Sequence, residues 1–253
     1  MKKQRLFYLT RTLMKIQVTK EVNPSFKEAY ERYMQHAFGK DPLPPIPGKP
    51  HGIFHNYRPW EYDKVFAFGD FKKDDIVLDT GAMHTYFCLY LAPLVATIYA
   101  TDNFYWAKRD YLKKEGLFTP EEWLHYIEEK SNGKITGQEA DLMDLHYEDN
   151  SFDKILSIST VEHILDHAKA MKEMARVLKK GGRLLLTTEF NFFFTKPYNE
   201  KDNSYYRVYN LKGLRELIRD SGLRIASPLI VESKRFRFLL PRKKVNAFIC
   251  LEK

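Results

Sequence analysis

Two periodicities divide this chain. Behind Asn23-Pro24, the residues Phe26, Tyr30, Tyr33 and Met34 recur at helical spacing, which predicts a helix opening at Ser25 and running to Gly39. Five prolines within 42–50 exclude helix and central strand, and predict a stiff connector. From Lys72 onward the pattern becomes short, apolar, β-rich runs alternating with amphipathic ones. The runs at 76–79, 96–101, 134–136, 152–159, 183–190, 224–231 and 245–252 predict seven strands. Helices are expected at 86–92, at 104–114, from the Thr119-Pro120-Glu121-Glu122 capping box to Ile127, and at 167–180, where Gly181-Gly182 would cap the end. Asn210 is placed to cap a last helix with Leu211, Leu214, Leu217 and Ile218 on one face.

Alternation of this kind predicts a Rossmann-like α/β fold, a doubly wound and mostly parallel sheet. Only 233–244 joins the last two strands, too little for a crossover helix, so the seventh strand is expected to be antiparallel. The predicted division is an N-terminal helical lid segment over 1–71 and the α/β domain over 72–253.

Composition adds a compartment and a partner. Cys88 and Cys250 sit in apolar surroundings without metal-ligand spacing, as reduced core residues of a cytoplasmic protein would. Arg11 and Lys15 interrupt the apolar N-terminal run, against a secretory signal. The uncharged stretch from Thr80 to Thr101 contains Gly81, His84 and Pro93 and reads as turn, helix and strand rather than a membrane span. The net charge is +8, yet residues 1–20 and 232–253 together carry +11, leaving the middle at −3. Basic ends suit an anionic partner.

In a doubly wound sheet, ligands bind beside the first strand where the order reverses. The turn there reads Asp79-Thr80-Gly81-Ala82-Met83-His84-Thr85. Asp102 closes the next strand, where a carboxylate can accept from two ribose hydroxyls, and Asp141 follows the third, where it can accept from an exocyclic amine. The stretch from Ala140 to Thr187, ADLMDLHYEDNSFDKILSISTVEHILDHAKAMKEMARVLKKGGRLLLT, resembles consecutive blocks of the class I S-adenosylmethionine-dependent methyltransferases.

That resemblance implies S-adenosylmethionine as cofactor. It implies Asp79, Thr80 and Gly81 under the methionine moiety, Asp102 at the ribose, Asp141 and Leu142 at the adenine, and Ser157 beside the sulfonium. Glu162 and His163 fall where the family places acceptor-side groups, and His163 is the candidate base. The lid segment offers His51, His55, Tyr57, Arg58 and Trp60 to the acceptor, and Glu189 and Arg207 belong to the opposite wall. Some relatives bind a metal through Glu-x-x-Glu-His. Here Ser159 stands in the first position, so no catalytic metal is expected.

The function expected is methyl transfer to a small polar acceptor, at oxygen, in a sugar, nucleotide-linked or phosphorylated metabolite. Two alternatives stand beside it. The basic ends raise a nucleic-acid methyltransferase, although no recognisable nucleic-acid motif is present. Met83 and Thr85 stand where the family usually has glycines, and so raise a non-catalytic binding or scaffold protein on the same fold. That loss argues against a nicotinamide dehydrogenase, whose pyrophosphate needs those glycines.

Overall fold

The computed structural model describes residues 6–7, 14–38, 58–83, 86–105, 120–199, 206–233 and 243–253. The proline-rich connector, His51, His55, Tyr57, His84, Thr85, Thr119 and most of 104–114 fall outside them.

The strands are β1 (Leu6–Phe7), β2 (Ile16–Thr19), β3 (Ile76–Thr80), β4 (Thr97–Asp102), β5 (Ile135–Glu139), β6 (Phe152–Ile158), β7 (Leu178–Phe190), β8 (Arg224–Ile225), β9 (Leu229–Glu232) and β10 (Val245–Glu252). The helices are α1 (Pro24–Phe38), α2 (Pro59–Gly69), α3 (Phe87–Leu91), α4 (Pro120–Lys130), α5 (His167–Val177) and α6 (Leu211–Ser221).

One sheet runs β1-β2-β9-β10-β7-β6-β3-β4-β5, with β8 paired to β10. The order reverses at β3, which lies parallel between β6 and β4. The last strand, β10, is antiparallel to β7 from Val245 opposite Phe190 to Glu252 opposite Arg183, as its short connection requires.

Among the described residues ten strands form where seven are expected. β2 adds in parallel beside β9, with Ile16 opposite Leu229. The run at 224–231 splits in two because Pro228 has no N–H for the ladder and Ser227 turns its hydroxyl to the Cys250 amide at 2.9 Å. The helix α5 also stops short of the glycine pair. Its last carbonyls, on Arg176 and Val177, are taken by the amides of Asn150 and Ser151 at 3.1 and 2.8 Å, and Leu178 is already extended. Gly181, at φ 76, instead serves a turn inside β7 that bonds Lys253. The helix α4 continues to Lys130, past the expected Ile127, and Asn210 caps α6 through the Gly213 amide at 2.9 Å.

Apolar clusters fill both faces of the sheet. Met171, Met174, Leu214 and Leu217 from α5 and α6 cover one. Phe26, Tyr30, Tyr62, Val65, Phe87 and Trp123 from α1, α2, α3 and α4 cover the other. Cys88 and Cys250 are buried free thiols. Residues 14–19 and 59–69 therefore belong to the same sheet and core as the rest. Among the described residues no helix is long and apolar enough to cross a membrane.

Candidate functional site

The C-terminal ends of β3, β4 and β6 meet at the reversal point. Asp79 is the penultimate residue of β3, at 2% exposure. Its Oδ2 has no hydrogen-bond partner, and burial together with the charge of Asp102 pushes its pKa up to about 7. Thr80 is buried with its hydroxyl donating to the Leu156 carbonyl at 2.8 Å, so its side chain ties β3 to β6.

Gly81 follows at φ 67. A Cβ there would sit 2.4 Å from Thr160 Oγ1, so the loop needs glycine both for its backbone and for its space. Met83 turns its side chain into the apolar cluster with Tyr86 and Phe104. Its amide donates to Asp102 Oδ2 at 3.2 Å, and the Phe104 amide donates to Oδ1 at 2.7 Å. Asp102 is thereby oriented at the end of β4.

Asp141 is exposed and caps its own turn through the Met143 amide at 2.8 Å. Leu142 is 6% exposed. Ser157 lies opposite Thr80 across the β3–β6 ladder, buried, with a hydroxyl that no group satisfies.

These features fit S-adenosylmethionine. Two buried oxygens without partners, on Asp79 and Ser157, lie at the ends of adjacent strands before a glycine whose missing Cβ admits the Thr160 side chain, and Asp102 is held in place at the neighbouring strand end. The cofactor, when bound, supplies a methyl group on a positively charged sulfur.

Past β6 the chain turns sharply at Ser159, which has φ 49. Its hydroxyl donates to Glu61 Oε2 at 2.8 Å and accepts from Arg58 Nη1, also at 2.8 Å. Arg58 also reaches Glu61 Oε1 at 3.0 Å. The Thr187 hydroxyl donates to Glu61 Oε2 and accepts from the Ser159 amide at 2.9 Å. Glu61 is only 1% exposed, and these partners are what permit a carboxylate to be buried there.

Glu162 is fully buried. One oxygen accepts from the Thr188 hydroxyl at 2.9 Å, and the other has no partner. Burial first, then the nearby charges of Glu189 and Glu61, push its pKa up to about 8. His163 is half-buried, its ring centroid 6.2 Å from that of Tyr206. Glu189 pairs with Lys244. Arg207 donates its amide to the Glu162 carbonyl at 2.9 Å, and its guanidinium donates to the carbonyls of Ile164 and Leu165.

The structure thus gathers Arg58, Glu162, His163, Glu189 and Arg207 around the ends of β6 and β7. Trp60 lies elsewhere. It is 4% exposed, with its indole N–H donating to the Thr19 carbonyl at 3.1 Å, so the α2 side of the expected lid is core packing. Glu61 and Thr187 carry no signal in the sequence. Glu61 looks like an ordinary first-turn acid of α2, and only its burial reveals it.

Residues 78–186 match a family model described as a methyltransferase domain. A protein of Encephalitozoon cuniculi named as a methyltransferase is 31% identical over 121 residues, which cover 40% of this chain and 58% of that protein. Phosphoethanolamine N-methyltransferase 2 of Caenorhabditis elegans is 29% identical over 99 residues, which cover 37% and 22% of the two chains. The chain thus spans less than two thirds of the length of these curated relatives. Among solved structures, the [4+2]-cyclase SpnF has the same fold at a TM-score of 0.62 and 17% identity, with 82% of this chain and 90% of that chain covered. The family match runs from the buried end of β3, through the aspartate of β4 and the turn after β6, into β7. It spans the strand ends where the cofactor fits, and over residues 78–186 the chain is similar to methyltransferase domains.

Proposed function

We propose that this chain transfers the methyl group of S-adenosylmethionine to a hydroxyl oxygen of a small polar acceptor, a sugar, nucleotide-linked or phosphorylated metabolite. The observation that carries this reading is Glu162, a buried carboxyl group with one unpartnered oxygen, next to His163. Thr160, two positions before it, donates its hydroxyl to the Thr80 carbonyl at 3.0 Å, which fastens this acceptor-side turn to the cofactor-side loop.

Methyl transfer is an in-line displacement, so alignment of the two reactants supplies much of the rate. A hydroxyl acceptor also loses a proton, and Glu162 or His163 accepts it. On the cofactor side Asp79 takes the ammonium, Asp102 the ribose hydroxyls, and Asp141 with the Leu142 amide the adenine. Arg58 braces the turn that carries Glu162.

The test is release of S-adenosylhomocysteine when sugars, nucleotide sugars and sugar phosphates are each added with S-adenosylmethionine. Product with one of these classes, reduced at least about tenfold in Glu162→Gln or His163→Ala, supports the reading. Product that is unaltered in both variants removes the assigned base.

A second reading is a protein of this fold with another task. It is favoured by Met83 in the glycine loop and by the cyclase name of a solved structure of the same fold. Binding of S-adenosylhomocysteine without turnover on any of these acceptors would favour it.

A further inference from the structure

We infer that the cavity between α6, the start of α5 and the segments 195–197 and 207–209 is the seat of a phosphate monoester group on the acceptor. This inference rests on the methyltransferase reading and assigns its acceptor a chemical handle. The cavity measures about 450 Å3 and is lined by His167, Lys196, Arg207, Tyr209, Glu216 and Asp220, among others. That volume suits a small metabolite rather than a polymer lying along a surface.

Its charges are uneven. The two acids on the α6 wall already have partners, Glu216 with Lys212 at 3.9 Å and Asp220 with Arg219 at 2.8 Å. Neither of the two cations on the opposite wall forms a salt bridge among the described residues. Arg207 spends two of its donors on the carbonyls of Ile164 and Leu165 and feels the Asp166 carboxylate only at longer range. The Lys196 ammonium lies 3.6 Å from the Tyr206 ring centroid, an aromatic contact that also leaves its charge intact.

His167 opens α5, whose N-terminus is already capped by the Asp166 carboxylate through the Lys169 amide at 2.9 Å. Its Nδ1 is 2.5 Å from the Tyr209 hydroxyl. Burial and the neighbouring Arg207 hold it neutral, with its pKa near 4, so it adds a polar lining group and no repulsive or attractive charge.

The cavity also lies against the reaction site. The Arg207 amide bonds the Glu162 carbonyl, and Tyr206, under Lys196, is the ring neighbour of His163. A phosphate held by Arg207 and Lys196 sits on residues that contact the Glu162–His163 turn. Phosphate rather than carboxylate is favoured because two separate cations line the cavity, which suits a group with three acceptor oxygens.

The experiment is calorimetric titration of the full chain, first with S-adenosylhomocysteine and then, in the loaded protein, with glucose 6-phosphate, glucose, inorganic phosphate and a short single-stranded RNA. The first titration reports on the methyltransferase reading alone. The inference expects glucose 6-phosphate to bind at least tenfold more tightly than glucose, with inorganic phosphate competing. It expects Lys196→Met to remove at least threefold of that preference and Lys196→Met with Arg207→Met to abolish it, while S-adenosylhomocysteine affinity is kept. Lys196→Met is the variant least able to disturb folding, since Lys196 is partly exposed and its contact is with the partly exposed face of the Tyr206 ring. Equal affinities for glucose 6-phosphate and glucose, including no binding of either, overturn the inference. So does a preference that survives the double substitution. RNA binding tighter than glucose 6-phosphate and lost in the same variants also overturns it, in favour of a nucleic-acid acceptor.

Discussion

Arg58 and Ser159 stand 101 positions apart in the chain, and the guanidinium of the first donates to the hydroxyl of the second at 2.8 Å. The bond closes a network in which Glu61 receives Arg58, Ser159 and Thr187, and it holds Ser159 at φ 49. A left-handed backbone costs a non-glycine residue about 1 kcal/mol. Ser159→Gly removes that strain along with the hydroxyl, whereas Ser159→Ala removes only the hydroxyl. Urea denaturation should therefore show Ser159→Ala less stable than Ser159→Gly by about 1 kcal/mol. Equal losses would show that the turn is unstrained.

Glu61→Ala is the harsher change. It leaves Arg58 facing two hydroxyls whose common acceptor is gone, and should cost about 3 kcal/mol in the same assay. A loss below about 0.5 kcal/mol, the scale of an exposed pair, would mean that the network adds nothing.

Gly81→Ala tests the loop. Its Cβ would meet Thr160 Oγ1 at 2.4 Å and Cγ2 at 2.6 Å, at φ 67. Cofactor affinity should fall at least about tenfold, and Thr160→Ala added to Gly81→Ala should restore part of it by clearing the space without relieving the backbone. No recovery in the double variant would place the whole cost in the backbone conformation.

Much of the architecture is legible from the residues. Continuous apolar runs mark the parallel strands, the short link before Val245 marks β10 as antiparallel, and Asn210 marks the start of α6. The strand β2 is not legible. It has four residues and is defined by pairing with β9, more than 200 positions away, which no local pattern records. The end of α5 is misread because a glycine pair is a general stop signal, while the true stop is set by Asn150 and Ser151 arriving from another segment. At the site, Asp79, Gly81 and Asp102 are legible as candidates because each stands at or just past the end of an apolar strand run. Glu61 and Thr187 escape because a buried ion network joins residues that are individually ordinary.

Two acids give the protein a characteristic pH response. Burial raises Asp79 to about 7 and Glu162 to about 8, both above their unfolded values. Between the unfolded and folded values these groups hold a proton only in the native state, so stability falls as pH rises through that window and levels off above it. Thermal melts without ligand should show a decline from about pH 5 to about pH 8, on the order of 2 kcal/mol for each group. Asp79→Asn and Glu162→Gln should each flatten it. A decline unchanged in both variants would assign it to other groups.

Asp79 also links pH to cofactor. If it meets the ammonium as a carboxylate, S-adenosylmethionine affinity in the wild type should rise as pH passes about 7, and Asp79→Asn should bind more weakly and without that rise. A rise that persists in Asp79→Asn would contradict this pairing.

The central claim is that the strand ends at Asp79, Gly81 and Asp102 bind S-adenosylmethionine although Met83 stands in the loop. Calorimetric titration with S-adenosylmethionine and S-adenosylhomocysteine, at moderate salt to suppress non-specific charge binding, tests it directly. The account predicts saturable binding of both at micromolar concentrations, lost in Asp102→Ala while the thermal transition is kept. Absence of binding by either, or affinity unchanged in Asp102→Ala, would contradict it.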